Sequence, residues 1–217
     1  MQLRLRLFHT FLRETLPAPP VRVLEIGCGD GALASALTGD GYEVTAIDPD
    51  APDGAMFRRM RLEEYEAEAG SFDAVVSSVA LHHVPDLDAA TARIEGLLRP
   101  GGRLVLAELA KERIAGATAR WYHEQRSATA PAGHEHPAIE PDFEMWHRQW
   151  KEGRADVHAS SDLLPAVAGR FREIRLDWTP YLYSYGLDDS LEPVERALIE
   201  SGEIEAVGFL YVGERRG

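Results

Sequence analysis

Residues 23–32 read VLEIGCGDGA, an apolar run that stops at three glycines separated by single residues. The last six, Gly27 to Ala32, fit the G-x-G-x-x-[G/A] spacing, in which glycines let a backbone bend sharply and let a ligand approach within contact distance. VRVLEIG (21–27) reads as a buried strand and Gly31 to Leu37 as a helix, so the turn has the strand-turn-helix setting that such a site requires. Ala32 fills the third small position, which keeps a dinucleotide possible. Two carboxylates complicate that reading. Asp30 near the helix start suits an N-cap, but together with Glu25 it surrounds the turn with negative charge. A cationic ligand fits such a turn better than a pyrophosphate.

Outward from this turn, short apolar runs alternate with helical stretches. YEVTAID (42–48), FDAVVSS (72–78) and RLVLAEL (103–109) read as strands, the last entered through a Pro100-Gly101-Gly102 turn. Residues 51–57 read as a short helix. Residues 86–98 form a longer one, with Leu87, Ala90, Ile94, Leu97 and Leu98 on one face. Continuous apolar strands separated by helices indicate a parallel sheet covered on both faces. The fold class is therefore α/β, doubly wound, with ligands expected beyond the carboxyl ends of the strands. Leu7, Phe11 and Leu12 place an amphipathic helix over 2–16, ended by the proline-rich run at 17–20. After Leu109 the rhythm changes. Residues 111–158, rich in Trp, His and polar residues, read as a helical, lid-like insertion in a single 217-residue domain. The sheet then resumes with a helix at 161–168, a strand at 170–178, a helical stretch at 190–201 and a strand at 206–213, an antiparallel closing pair.

With 45% hydrophobic residues, the chain has what one globular core needs. A formal charge of −13 argues against nucleic acid as a partner, since binding a polyanion relies on Lys and Arg releasing its counterions. The single cysteine, Cys28, permits no intramolecular disulfide and reads as intracellular. Neither a signal-peptide core nor a run of about 18 apolar residues is found, so the expectation is a soluble cytoplasmic protein without a membrane segment, monomeric or homodimeric.

Asp48, ending the second strand, stands where an acid accepts two hydrogen bonds from a ribose diol; before Pro49 it also suits a plain turn. The histidines of the 111–158 stretch include His134-x-His136, but a pair without a defined third ligand makes no metal site. Trp146 and Trp150 suit either a face for a cation or flat substrate or the internal packing of a small lid.

VLEIGCGDG (23–31), AID (46–48), SFDAVVSSVALHHVPD (71–86) and LLRPGGRLVLAE (97–108) together resemble the successive motifs of class I S-adenosylmethionine-dependent methyltransferases, in the group similar to quinone-biosynthesis and small-molecule methyltransferases. The resemblance covers residues 20–109 and implies a mostly parallel seven-stranded sheet with an antiparallel last strand. It also implies site roles. Glu25, Gly27 and Gly29, with Cys28 between them on the turn, would line the methionine end of S-adenosylmethionine. Asp48 would hold the ribose hydroxyls and Pro49 would lie near the adenine. Arg61-Leu62 stands where the family has an acid followed by a small residue; that acid is absent, which leaves the adenine contact to Leu62 and Glu63. Ser77 and Ser78 would end the fourth strand beside the ligand, or simply cap it.

Methyl transfer to oxygen or nitrogen needs a base near neutral pH, for which His83, His123 and His82, in that order, are the candidates. The expected acceptor is a small organic molecule, since the fourth strand ends SSVALHH and lacks an Asn-Pro-Pro-Tyr motif. It attacks in line through oxygen, nitrogen or carbon, the last needing none of these bases if already acidic. A catalytically silent S-adenosylmethionine-binding protein and an NAD-dependent oxidoreductase are the alternatives.

Overall fold

The computed structural model describes residues 1–128 and 139–217. Seven strands form one sheet: β1 (Arg22–Ile26), β2 (Glu43–Asp48), β3 (Phe57–Arg59), β4 (Phe72–Ser78), β5 (Leu98–Leu109), β6 (Phe171–Thr179) and β7 (Gly208–Arg215). Their order across the sheet is β3-β2-β1-β4-β5-β7-β6. The first five pair in parallel and the last strands are antiparallel, the doubly wound architecture that the alternating pattern predicts. Around the sheet run α1 (Leu3–Thr15), α2 (Ala32–Gly39), α3 (Leu87–Leu97), α4 (Gly116–Ala128), α5 (Phe143–Glu152), α6 (Ser160–Arg170) and α7 (Glu192–Glu200).

Two local readings need correction. Residues 51–57 form no helix, because Pro52 has no amide hydrogen to give and Gly54 sits at φ +148°. The chain turns there and then adds β3, whose Arg59 pairs with Asp48. Pro100-Gly101-Gly102 does not precede the strand but lies within it. Phe72 pairs with Leu98 and Ala74 with Arg103, so residues 99–102 bulge out of the ladder.

The chain divides into two compact units. The first comprises Met1–Glu108, Ser161–Asp177 and Leu210–Gly217. Its core joins Phe8, Phe11 and Leu12 of α1 to Leu33 and Leu37 of α2 and to inward residues of the sheet such as Val76. The buried stripe of α1 runs through Phe8, whereas Leu7 is 43% exposed. α3 starts at Asp86, whose carboxylate accepts the Ala89 N–H at 3.0 Å. It buries Leu87, Ala90, Thr91, Ile94 and Leu97.

The second unit comprises Leu109–Ser160 and Trp178–Phe209, so the stretch expected as an insertion is joined by a later segment. α4 and α5 meet through aromatic side chains, with Trp146 5.7 Å from Tyr122 and 5.2 Å from His123 between ring centroids. Burial pushes the Tyr122 hydroxyl up from its ordinary pKa, and that hydroxyl donates to the Tyr185 carbonyl at 2.8 Å. Glu195 of α7 is fully buried and accepts the N–H groups of Tyr181, Leu182 and Tyr183 at 2.8, 3.0 and 2.8 Å. Desolvation raises its pKa against the lowering effect of those three bonds.

Candidate functional site

Sheet register sets the site. Ile26 of β1 aligns with Ile47 of β2 and with Ser77 of β4, so Gly27, Asp48 and Ser78 emerge at one level at the carboxyl edge. Ser78 aligns with Ala107 of β5, which puts Glu108 at the same edge. A cavity of about 380 Å³ opens there, lined by Gly27, Asp48, Pro49, Leu62, Glu63 and His83 among others. With Arg61, seven positions singled out in the sequence thus line one space, while Glu25, Cys28, Gly29, Ser77 and Ser78 are not part of its lining. Met60, Val79, Ala80, Val84 and Pro85 add apolar wall that the sequence reading did not name.

The glycine turn follows β1 with Gly27, Gly29 and Gly31 all at positive φ, +76°, +50° and +77°. They are required for different reasons. A Cβ on Gly27 would lie 2.3 Å from the Ala80 Cβ, and one on Gly31 would lie 2.5 Å from the Phe57 ring. At Gly29 nothing lies within 4 Å, so that face of the turn is open. Gly27 and Cys28 donate their N–H groups to the Ile47 carbonyl at 2.9 and 3.2 Å, tying the turn to β2. Gly31 is the N-cap of α2, while the Asp30 carboxylate accepts from the Ala32 N–H at 3.0 Å. Asp30 is therefore not the N-cap expected from the sequence; its carboxylate closes the turn one residue earlier. The Cys28 thiol is buried, which together with the Glu25 charge pushes its pKa up to about 12 and keeps it protonated.

Glu25 is 2% exposed, and its Oε2 has no hydrogen-bond partner. Desolvation, then the charges of Asp30 and Asp48, push its pKa up to about 8. Asp48 accepts the Gly29 N–H on Oδ2 at 3.1 Å and the Asp50 N–H on Oδ1 at 2.8 Å. A carboxylate has about four acceptor positions, so about two stay available toward the cavity.

Past β4, Val79 adopts φ +57°, among the described residues the only non-glycine at positive φ. A β-branched residue there is strained. The following 3₁₀ turn, Leu81–His83, carries two of the three candidate histidines. His83 is exposed and lines the cavity. His82 is buried, and its Nδ1 donates to Glu108 Oε2 at 2.6 Å. His123 lies on α4 in the second unit, with Nε2 donating to the Glu140 carbonyl at 2.8 Å. Ser77 donates to the Ile26 carbonyl at 3.0 Å, a strand-to-strand bond. Ser78 accepts from Arg4 of α1 at 2.6 Å. His134 and His136 lie outside the described residues, and among those described no group of His, Cys, Asp or Glu is placed to hold a metal. No described helix is long and apolar enough to cross a membrane.

A methyltransferase domain model matches residues 1–153. The chain belongs to the methyltransferase domain family. Its fold is that of solved S-adenosylmethionine-dependent methyltransferases, and its motif order resembles theirs, which favours that cofactor over the dinucleotide that the glycine turn alone leaves open. Over 110 residues it is 38% identical to an uncharacterized methyltransferase of Mycobacterium tuberculosis, a match covering 46% of this chain and 56% of that one. Over 141 residues it is 37% identical to the ubiquinone biosynthesis O-methyltransferase of Xanthomonas axonopodis pv. citri, covering 58% and 59%. The matched region thus spans little more than half the length of either relative. An S-adenosylmethionine-dependent methyltransferase from Mesorhizobium loti shares the fold, with a TM-score of 0.60 at 19% identity, over 95% of this chain and 96% of that one.

The site suits this cofactor. The Glu25 oxygen is buried without a partner, which a hydrogen-bond donor would satisfy, and the Gly29 face of the turn is open. Apolar Leu62 and Pro49 suit an adenine, with no acid at Arg61 to take its amino group. The Arg61 N–H donates instead to Glu64 at 3.0 Å.

Proposed function

We propose that this methyltransferase alkylates a small organic acceptor. The observation that carries the reading is an apolar cavity edged by Asp48 at the carboxyl edge of the sheet, with a buried, unpartnered Glu25 oxygen on the adjoining strand β1. S-adenosylmethionine, when bound, supplies an electrophilic methyl group on a cationic sulfur, open to in-line displacement with a neutral thioether leaving. Glu25, Gly27, Cys28 and Gly29 form the seat for its amino-acid end. Asp48 accepts from the ribose hydroxyls, while Pro49, Leu62 and Glu63 hold the adenine. Ser77 and Ser78 act from behind, bonded to Ile26 and Arg4. Holding two reactants in line is the main contribution asked of the protein, roughly 7–11 kcal/mol in well-oriented systems.

His83 is the preferred proton acceptor, because it lines the cavity. An imidazole nitrogen of His83 takes the proton that the acceptor loses as its oxygen or nitrogen attacks. His82 is committed to Glu108 and His123 to Glu140, which places both behind it in order. The name of the Xanthomonas relative supports oxygen as the acceptor atom.

Calorimetry of the full chain with S-adenosylhomocysteine and NAD, followed by transfer of labelled methyl to a panel of phenolic and hydroxylated acceptors, tests this reading. Binding of S-adenosylhomocysteine and label on an acceptor are expected. Tight NAD binding without S-adenosylhomocysteine binding would sink it, and binding without transfer to any acceptor would favour a silent binding protein.

A further inference from the structure

Glu108 ends the apolar run LVLAE of β5 and is 1% exposed. A carboxylate buried in such a strand is costly to desolvate unless hydrogen bonds compensate it. Three do. Its Oε1 accepts the N–H groups of Ala80 and Leu81 at 3.1 and 2.8 Å, and its Oε2 accepts from His82 Nδ1 at 2.6 Å. All three donors belong to the segment that leaves β4 and forms a wall of the cavity through Val79, Ala80, His83, Val84 and Pro85.

That segment begins under strain at Val79, φ +57°. Such a conformation persists only where its surroundings over-determine it. Upstream, the Val79 N–H donates to the Ala107 carbonyl at 2.8 Å. Downstream, Glu108 holds the next two amides and the ring after them. The two pins come from adjacent residues of one strand, so β5 fixes the wall from both sides of the strained residue. The His82 ring, held by Glu108, packs against His83 with centroids 4.1 Å apart, which passes the constraint to the exposed imidazole.

Resting on the methyltransferase reading above, we propose that Glu108 is a positioning residue for cofactor capture and methyl transfer. Through Ala80, Leu81 and His82 it holds Val79 and His83 in the cavity wall, without itself being one of the residues that line it.

Calorimetry with S-adenosylhomocysteine on full-length wild type, Glu108→Ala and Glu108→Gln tests this. A wild-type protein that does not bind would mark failure of the methyltransferase reading, not of this one. Given wild-type binding, Glu108→Ala is expected to bind about tenfold more weakly or worse, the size of losing hydrogen bonds to a charged group. Glu108→Gln keeps one oxygen for both amides and is expected to stay within about threefold. At saturating ligand, the His83 ring proton signals of Glu108→Ala are expected away from their wild-type positions, and those of Glu108→Gln close to them. Amide exchange on wild type needs no variant: the Ala80 and Leu81 amides are expected to exchange far more slowly than unstructured ones. Fast exchange there overturns the proposal, as does a folded Glu108→Ala with wild-type affinity and unmoved His83 signals.

Discussion

Glu25, proposed above to seat the amino-acid end of the cofactor, is pushed toward its neutral form by burial. Its folded pKa, near 8, lies above the ordinary value of 4.5. Protonated Glu25 therefore favours the fold below about pH 4.5, and that contribution is lost as pH rises through about 8. Glu25→Gln removes the loss, so in urea unfolding the variant is expected to gain about 2–4 kcal/mol near pH 8.5 and little near pH 5. A cationic ligand shifts the balance toward the carboxylate. Cofactor binding near pH 7 is expected to release roughly one proton, read by calorimetry in buffers of different ionisation enthalpy; buffer-independent heats would remove Glu25 from the cationic end. Asp48→Ala gives up the ribose acceptor and the Gly29 anchor together and is expected to weaken S-adenosylhomocysteine binding by about 1–3 kcal/mol. Unchanged affinity in the folded variant would take Asp48 out of the site.

Among the elements, the glycine turn and the turn after β4 constrain each other. Gly27→Ala would drive a methyl into Ala80, so it is expected to weaken S-adenosylhomocysteine binding at least as much as Asp48→Ala, measured the same way. In the β5 bulge, a Cβ at Gly102 would meet the Arg99 carbonyl at 2.8 Å and the Asp73 carbonyl at 3.1 Å. Gly102→Ala is expected to cost about 1–3 kcal/mol in urea unfolding, as overpacking does, with ligand affinity little changed. The same two elements show why some of the structure was legible and some was not. β1, β2 and β4 were readable because parallel strands buried on both faces leave continuous apolar runs. β3, the three residues Phe57–Arg59, leaves no such signature, because two of them are exposed and the strand is held mainly by its pairing with β2. Asp48, Pro49, Leu62, Glu63 and His83 stood at motif positions and do line one cavity. Glu108 stood in view too: an acid inside an apolar strand has to have partners, but the identity of those partners, 26 to 28 residues earlier, depends on register. The second unit was half legible, because its two segments lie far apart in the chain and no local pattern links them.

For the molecule as a whole, a formal charge of −13 gives the solvent-exposed face a negative potential. S-adenosylmethionine carries a net positive charge that its product lacks. Raising ionic strength from low to about 0.3 M is expected to weaken S-adenosylmethionine binding several-fold and S-adenosylhomocysteine binding much less, as screening acts on the charged ligand. Equal salt dependence of the two would show that the surface field takes no part in telling cofactor from product.

Glu108 is also the last residue of the first unit before the chain enters the second. Every residue assigned to gripping the cofactor, and the anchor that steadies its cavity wall, is thus encoded by the first 108 residues. Substitutions after position 108 leave every position assigned to the cofactor unchanged, and the strand-end carboxylate is the boundary that such changes have to spare.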